Sequence, residues 1–378
     1  MTRIVVAGYA RSPFTLARKG ELARVRPDDL AAQVVTGLVE RAGVSPEDIE
    51  DLLLGCAFPE GEQGLNLARL VGLMSGLPRS AGAATINRFC GSSMTSVHVA
   101  AGSIAMGAGE VFVCAGVESM SRVPMMGYNP LPHPEFVKAH PEAYMSMGET
   151  AENVAQRWQI PRAEQEAFAL RSQECAAAAQ RDGRLANEIV PIQHGDHLVS
   201  LDGCIRPDTT LEGLAELKPA FDAEGVVTAG TSSPLTDGAS AVLVCSEEYA
   251  KRHDLPVLAA VKAVAVRGCD PEIMGIGPVA ASLVAMERAG LHASDLDVVE
   301  LNEAFASQSI ACMRDLGLNP ERVNIDGGAI ALGHPLGATG ARIVGKAASL
   351  LSREKGRYAL ATQCIGGGQG IATILEAA

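Results

Sequence analysis

Three segments of the chain hold residue types able to break a bond beside a carbonyl group. They are NRFCGSSM around Cys90, GGAIALGHPLGATG around His334 and ATQCIGGGQG around Cys364. Cys90 stands just before a charge-free stretch of helical composition. Amides of a first helical turn lack partners within the helix, and the helix dipole favours negative charge there. A thiol so placed is expected to ionise more readily than usual and to act as a nucleophile. Gly91 beside it would let a substrate approach the backbone closely. A small cysteine packed under a helix accounts for this segment equally well. His334, fixed between Gly333 and Pro335, is suited to presenting its ring at a tight turn, where it can accept a thiol proton or donate to an oxyanion. A satisfied structural histidine is the other reading.

Cys364 is followed by Ile365 and three successive glycines, whose amides could form an oxyanion nest. A dinucleotide fingerprint is excluded there, because no helix or βαβ unit follows. Asn302 and Glu303, in ELNEAFA, lie where a strand ends, the usual edge for a site in α/β sheets. The amide of Asn302 could hold a water or a substrate oxygen without adding charge. Two nucleophile-grade cysteines with one histidine favour exchange over hydrolysis. One thiol can carry an acyl group while the other moves a proton at carbon, whereas a hydrolase needs one nucleophile and an activated water.

An internal duplication must position these residues. LVERAGVSPEDIEDLLLG (38–55) aligns with AMERAGLHASDLDVVELN (285–302) at a constant offset of 247 residues. Each copy predicts a helix stopped by a left-handed glycine, Gly43 or Gly290, then a capped turn and a short strand. Ser45 and Asp48 have capping spacing in the first copy, and Asp48 corresponds to Asp295. The offset also pairs the stretch Ser92–Met106 with Thr339–Arg353, and VFVCAG (111–116) with YALATQ (358–363). It carries His334 back to residue 87, three before Cys90, so that related loops of the two halves would converge on one pseudo-symmetric centre.

Helix and strand alternate in both halves, which predicts an α/β fold with largely parallel strands. No Asp, Glu, Lys or Arg occurs from Phe89 to Gly109, so the first paired helix is expected to be buried on all sides. The second carries Arg342, Lys346, Arg353, Glu354 and Lys355 and fits burial less well. Two such helices between two sheets would give five layers. The expected organisation is an N-terminal half (1–118 with 240–250), an inserted loop domain (119–239) and a C-terminal half (251–378). Within the insert, Pro161 opens a helix that ends near Gly183, and SAVLVCS (240–246) is the strand that returns to the core.

Composition narrows the function. Hydrophobic residues make up 47% of 378 and charged residues 20%, enough apolar material for a sizeable core. The net charge of −13 argues against nucleic acid and anionic membranes as main partners. No stretch is long and apolar enough for membrane insertion, and the first residues, MTRIVVAGYARSPF, read as a strand rather than a signal peptide. Nine cysteines with no CxxC pair suit reduced thiols in the cytoplasm and offer no structural zinc site.

Taken together, the chain resembles the thiolase family along essentially its whole length. The likeness rests on NRFCGSSM, GVESMS, MGETAEN (147–153), TAGTSSPLTDGA (228–239), LNEAFA (301–306), NIDGGAIALGHPLGATGAR (324–342) and CIGGGQG (364–370), all in order. Within the family it is most similar to the bacterial fatty-acid-degrading 3-ketoacyl-CoA type, notably in IRPDTTLEGLAELKPAF. The resemblance implies a five-layer αβαβα core of two halves and a loop domain that binds coenzyme A as a substrate, with no permanently bound cofactor and no metal. It implies that Cys90 is acylated, that His334 activates it, and that Cys364 is the acid/base at carbon. Asn302, through a water, and His334 would form one oxyanion hole, and the amides of Cys90 and Gly366 the other. Ser233 would touch the pantetheine arm, and Met147, Ala304 and Phe305 would line the site, with Glu303 a structural neighbour only. A homodimer or homotetramer is implied, with association with other β-oxidation enzymes as a further expectation.

Three departures bear on substrate. Ser146 stands where short-chain biosynthetic thiolases usually have His, Thr231 stands where they read TAGNAS, and the segment between Ser121 and Ser146 is shorter than their tetramerisation loop. These weigh against an acetoacetyl-CoA biosynthetic enzyme. The alternatives are a biosynthetic acetoacetyl-CoA thiolase or a 3-oxoadipyl-CoA thiolase, a non-catalytic acyl-CoA or lipid-binding relative, and a cysteine hydrolase.

Overall fold

The computed structural model describes residues 2–378. The N-terminal half is built from β1 (Ile4–Arg11), α1 (Pro27–Ala42), β2 (Asp51–Gly55), α2 (Leu67–Met74), β3 (Gly82–Ile86), α3 (Ser92–Ala105) and β4 (Val111–Ser119). Pro27 opens α1, Asp28 and Asp29 occupy its first turn, and Gly43 closes it at φ 69°. An intervening region holds α4 (Met147–Arg157) and α5 (Arg162–Arg181), after which the chain rejoins the sheet as β5 (Thr236–Ser246). The second half follows with β6 (Ala259–Gly268), α6 (Gly277–Ala289), β7 (Val298–Leu301), α7 (Ala306–Leu316), α8 (Leu336–Glu354), β8 (Tyr358–Ile365) and β9 (Gln369–Glu376).

The strands run β3-β2-β4-β5-β1 in the first half and β7-β8-β9-β6 in the second. A parallel bridge from Val299 to Val323 stands in the second half where β3 stands in the first. The two halves meet edge to edge where Val5 and Val6 pair with Ala260 and Ala259, and the two-residue strand Thr15–Leu16 pairs on β5. The strands are mixed, which corrects the expectation of a largely parallel sheet. β2 is parallel to β3 and β4, and β7 to β8, but β4–β5, β5–β1, β8–β9 and β9–β6 are antiparallel. The reason is that the final strand of each half returns antiparallel beside its predecessor, through a glycine turn in the second half and through the long intervening region in the first.

Side chains alternate across each strand and divide the core into layers. Val111, Val113 and Ala115 of β4 face α1 and α2, whereas Phe112 and Cys114 face the central helices α3 and α8. In β8, Ala359 and Ala361 face the same central layer, and Leu360 faces α6 and α7. Helices, sheet, helices, sheet and helices therefore stack as five layers.

The central helices reverse the expectation based on charge. The uncharged α3 leaves Val99 41% exposed, and Met106 just beyond its end 84%. The charged α8 is buried along nearly its whole length, including Arg342 and Lys346. Arg342 pairs with Glu300 at 3.0 Å, and Lys346 with Glu188 at 3.1 Å and Asp326 at 2.8 Å. Carboxylates from neighbouring segments make these buried cations tolerable, while α3 runs out to an apolar surface. One capping expectation also fails. Ser45 makes no side-chain cap, and Asp48 instead accepts a hydrogen bond from the Tyr249 hydroxyl at 2.7 Å. Asp295, its counterpart, does cap, accepting from the His292 amide at 2.8 Å.

Candidate active site

The site forms where the carboxyl ends of the strands meet the amino ends of α3 and α8. Asn302 follows β7 directly, and its amide donates to the carbonyl of Thr362 in β8 at 3.0 Å. Asn302 and Cys364 thus leave neighbouring parallel strands on the same side. β8 and β9 are joined by Gly366–Gly368, and Gly367 and Gly368 adopt φ of 82° and 84°, a conformation suited to glycine.

Cys90 lies between β3 and α3. Phe89 before it has φ 42°, and Gly91 after it is the helix N-cap. Gln363 donates its side-chain amide to the Cys90 carbonyl, which fixes this corner to β8. Burial pushes the Cys90 thiol up to about 12, hydrogen bonds from the Gly366 and Cys90 amides pull it back, and the charge of Glu118 adds to the rise. This corrects the expectation of a lowered thiol pKa. The cysteine is only 2% exposed, and loss of hydration outweighs the two amides directed at its sulfur. In the resting protein Cys90 is a thiol and needs a base.

His334 sits two residues before α8, and its own amide donates to Thr236 Oγ1 at 3.1 Å. Its Nδ1 is 2.6 Å from Thr339 Oγ1, and its Nε2 is 3.4 Å from Nδ2 of Asn302. The Thr339 hydroxyl in turn reaches the Pro335 carbonyl at 3.3 Å. An amide nitrogen can only donate, so these contacts form one directed chain from Asn302 to Nε2, from Nδ1–H to Thr339, and on to Pro335. Burial, followed by the Arg342 charge, pushes the imidazole down to about 3. His334 is therefore neutral, with Nε2 unprotonated and facing the Asn302 amide, which must give way for Nε2 to take a proton.

One cavity of about 240 Å³ joins Cys90, His334 and Cys364 with Ser233, Met147, Ala304 and Phe305. A second, of about 350 Å³, reaches Cys90 from another side and includes Gly366. Asn302 lines neither and enters through its contact with His334. Ser233 is held by its amide on the Ala304 carbonyl at 3.0 Å, and Phe305 packs edge-on against Phe221 with ring centroids 5.9 Å apart. Met147 begins α4, whose capping box of Ser146 and Glu149 fixes that wall. Cys364 is fully buried, and its thiol is held well above the ordinary range by burial and then by Cys90, Cys312 and Cys269. Glu303 accepts from Ser172, Asn324 and the Ile330 amide, a structural set of contacts away from the cavity.

Thr339, Gln363 and Glu118 escaped sequence reasoning. Thr339 falls on the face of α8 that looks back at His334, a signal visible only once the helix start is known. Gln363 and Glu118 lie within apolar strands and give no periodic signal.

The arrangement offers a nucleophile, a neutral base, a second thiol and two sets of uncharged hydrogen-bond donors, which is the equipment of acyl transfer. Comparison with known proteins agrees. The family described as Thiolase, N-terminal domain matches residues 4–248, and Thiolase, C-terminal domain matches residues 255–377. The chain is 45% identical to the 3-ketoacyl-CoA thiolase of Bacillus subtilis (strain 168), over 100% of both chains. It is 48% identical to that of Vibrio cholerae serotype O1 (strain ATCC 39315 / El Tor Inaba N16961), again over 100% of each. The crystal structure of human mitochondrial 3-ketoacyl-CoA thiolase superposes with a TM-score of 0.92 at 39% identity, covering 100% of this chain and 99% of that one. The same human enzyme in complex with CoA superposes at 0.93 with 38% identity, covering 100% and 98%. The chain belongs to the thiolase family.

Proposed function

We propose that the chain catalyses thiolytic cleavage of 3-ketoacyl-CoA by coenzyme A, giving acetyl-CoA and a shortened acyl-CoA. The observation that carries this reading is the single cavity shared by Cys90, His334 and Cys364. His334 takes the Cys90 proton, and the sulfur adds to the C3 carbonyl of the substrate. His334 and an Asn302-held water stabilise the alkoxide. The C2–C3 bond breaks, the acyl group stays on Cys90, and the acetyl-CoA enolate takes a proton from Cys364. Incoming CoA loses its thiol proton to Cys364 and attacks the acyl thioester; the bond to Cys90 breaks, and the released sulfur takes back its proton from His334. The oxyanion of that step is held by the Cys90 and Gly366 amides.

The two cavities separate the two ends of the substrate. Ser233 and Phe221 suit the pantetheine arm. The larger cavity, walled by Phe58, Phe89, Phe136, Tyr144, Met145 and Met274, suits an alkyl tail. Glu142 is the sole charged residue among its lining, so a tail ending in a carboxylate would meet repulsion there. That observation favours a fatty acyl substrate over 3-oxoadipyl-CoA. The space beyond Cys90 likewise exceeds what the methyl group of acetoacetyl-CoA would fill. Relative rates on acetoacetyl-, 3-ketohexadecanoyl- and 3-oxoadipyl-CoA test the assignment. The long substrate is expected to be preferred, and preference for either of the others would overturn it. Release of free acid in place of acyl-CoA would point to a hydrolase. The working unit in this reading is a homo-oligomer, at least a dimer, which can also associate with other β-oxidation enzymes.

A further inference from the structure

Cys90 and His334 come from different halves of the duplicated core, so their separation depends on how firmly α8 is seated on the first half. The contact that seats it centres on Glu118, the penultimate residue of β4, which is 1% exposed. One oxygen accepts from the Ala57 amide at 2.8 Å and the Gly337 amide at 2.9 Å. The other accepts from the Phe58 amide at 3.2 Å and from Gln63 Nε2 at 2.8 Å. Burial lifts the Glu118 carboxyl above the usual carboxylate range, and the four N–H donors that fill both oxygens oppose that rise, since a proton on either oxygen would have to displace one of them. Among the described residues Glu118 has no cationic partner.

Gly337 lies in the first turn of α8, three residues after His334, where a backbone amide lacks a partner within the helix. Its backbone rests directly on the opposing strands. A Cβ there would fall 2.8 Å from Cys56 Cα and 2.9 Å from the Gly55 carbonyl oxygen. Ser93 Oγ accepts from the Ala341 amide at 2.8 Å, adding a second tie between the halves on the same helix. Phe58, Cys90 and Leu336 share one small apolar cluster beside the carboxylate.

We infer that Glu118 is a positioning residue for the Cys90–His334 pair, an anionic clamp that holds the turn bearing His334 against the half bearing Cys90. The clamp has an electrostatic corollary. A fixed negative charge near Cys90 disfavours its thiolate, so that proton transfer to His334 is coupled to attack on substrate. The inference rests on the proposed acyl transfer, although its effect on Cys90 ionisation is measurable without any substrate.

The test compares Glu118→Gln with Glu118→Asp. Gln keeps the shape, removes the charge and sets an NH2 group against N–H donors; Asp keeps the charge at shorter reach. Three quantities are measured: the rate of Cys90 acylation by mass spectrometry, KM for acyl-CoA, and the pH profile of Cys90 alkylation by iodoacetamide. Glu118→Gln is expected to slow acylation about a hundredfold, the scale for misplacing a reacting pair, with KM nearly unchanged. Its alkylation profile is expected to move to lower pH. Glu118→Asp is expected to keep the wild-type alkylation profile and lose less of the acylation rate. An unshifted profile with wild-type acylation in Glu118→Gln would overturn the inference, as would losses in both variants that merely follow the folded fraction. Should Glu118→Gln not fold, a shifted alkylation profile in Glu118→Asp would overturn it, and an unshifted one with slowed acylation would support it. Absence of thiolysis in the wild-type protein would instead sink the proposed function, leaving the alkylation result to stand alone.

Discussion

Nδ2 of Asn302 stands 3.4 Å from Nε2 of His334, and the far nitrogen of the same ring is 2.6 Å from the Thr339 hydroxyl. The imidazole is therefore gripped from both sides, with its basic nitrogen turned to the amide and its N–H turned to the hydroxyl. Thr339→Val keeps the shape and removes the acceptor. It is expected to lower kcat by about tenfold or more through loss of tautomer control, a share of the usual acid–base contribution. Unchanged kcat would show that the ring is held by packing alone.

Cys90→Ala is expected to abolish turnover and covalent labelling by acyl-CoA. Mass spectrometry of the trapped wild-type intermediate should place the acyl group on Cys90. Acylation of another cysteine would end the assignment.

Cys364→Ala separates the two thiols. Acylation of Cys90 from a reactive simple thioester should persist, because it requires no proton transfer at carbon. Exchange of the acetyl-CoA C2 protons with deuterium, followed by NMR, should fall about a hundredfold or more, the scale for a positioned proton-transfer group. Undiminished exchange would leave Cys364 a buried structural thiol.

Acid should weaken the fold through the buried His334 and the half-buried His98. Burial pushes His98 and His334 down to about 3, whereas an exposed imidazole ionises near 6.5. Between those values the unfolded chain binds protons that the folded chain refuses. Stability is therefore complete above about pH 6.5 and declines as pH falls toward 3, by roughly 2 kcal/mol per histidine at pH 5. Urea midpoints at pH 7 and 5 measure the slope, and His98→Asn should make it shallower. An identical slope in that variant would exclude His98 as a contributor.

The proposed oligomer has its own test. β3 ends the sheet as an open edge, and Leu65, Leu73, Met74, Val99 and Met106 are exposed on the elements around it. Apolar surface of this kind marks an association face. Sedimentation should find a dimer or larger species, and Val99→Asp with Met106→Glu should shift it toward monomer. A monomeric wild-type protein at working concentration would contradict this.

Much of the architecture is legible in the sequence because the duplication repeats it. Gly43 and Gly290 mark equivalent helix ends, and both adopt left-handed φ, 69° and 68°. Charge misled where ion pairs decide burial. Arg342 and Lys346 look like surface residues until Glu300, Glu188 and Asp326 are brought to them by separate parts of the chain. Motifs point to the proposed reacting side chains, but their spacing says nothing of hydration, and loss of hydration raises the Cys90 thiol where the helix position alone predicts a fall. Contacts across the halves, such as Glu118 with Gly337, are too far apart in sequence for any local pattern to reveal.

The connection between paired antiparallel strands occurs twice in this fold, with very different outcomes. Between β8 and β9 it is a glycine turn that supplies an amide at Cys90. Between β4 and β5 the same junction has grown into everything from Met120 to Leu235. Both ends of that growth are pinned side by side in the sheet, with Ser119 opposite Asp237, so loop closure depends only weakly on what lies between. The segment is thus free in length but not in contacts, because its Glu188 neutralises the buried Lys346 and Arg11 and its Ser172 donates to the buried Glu303.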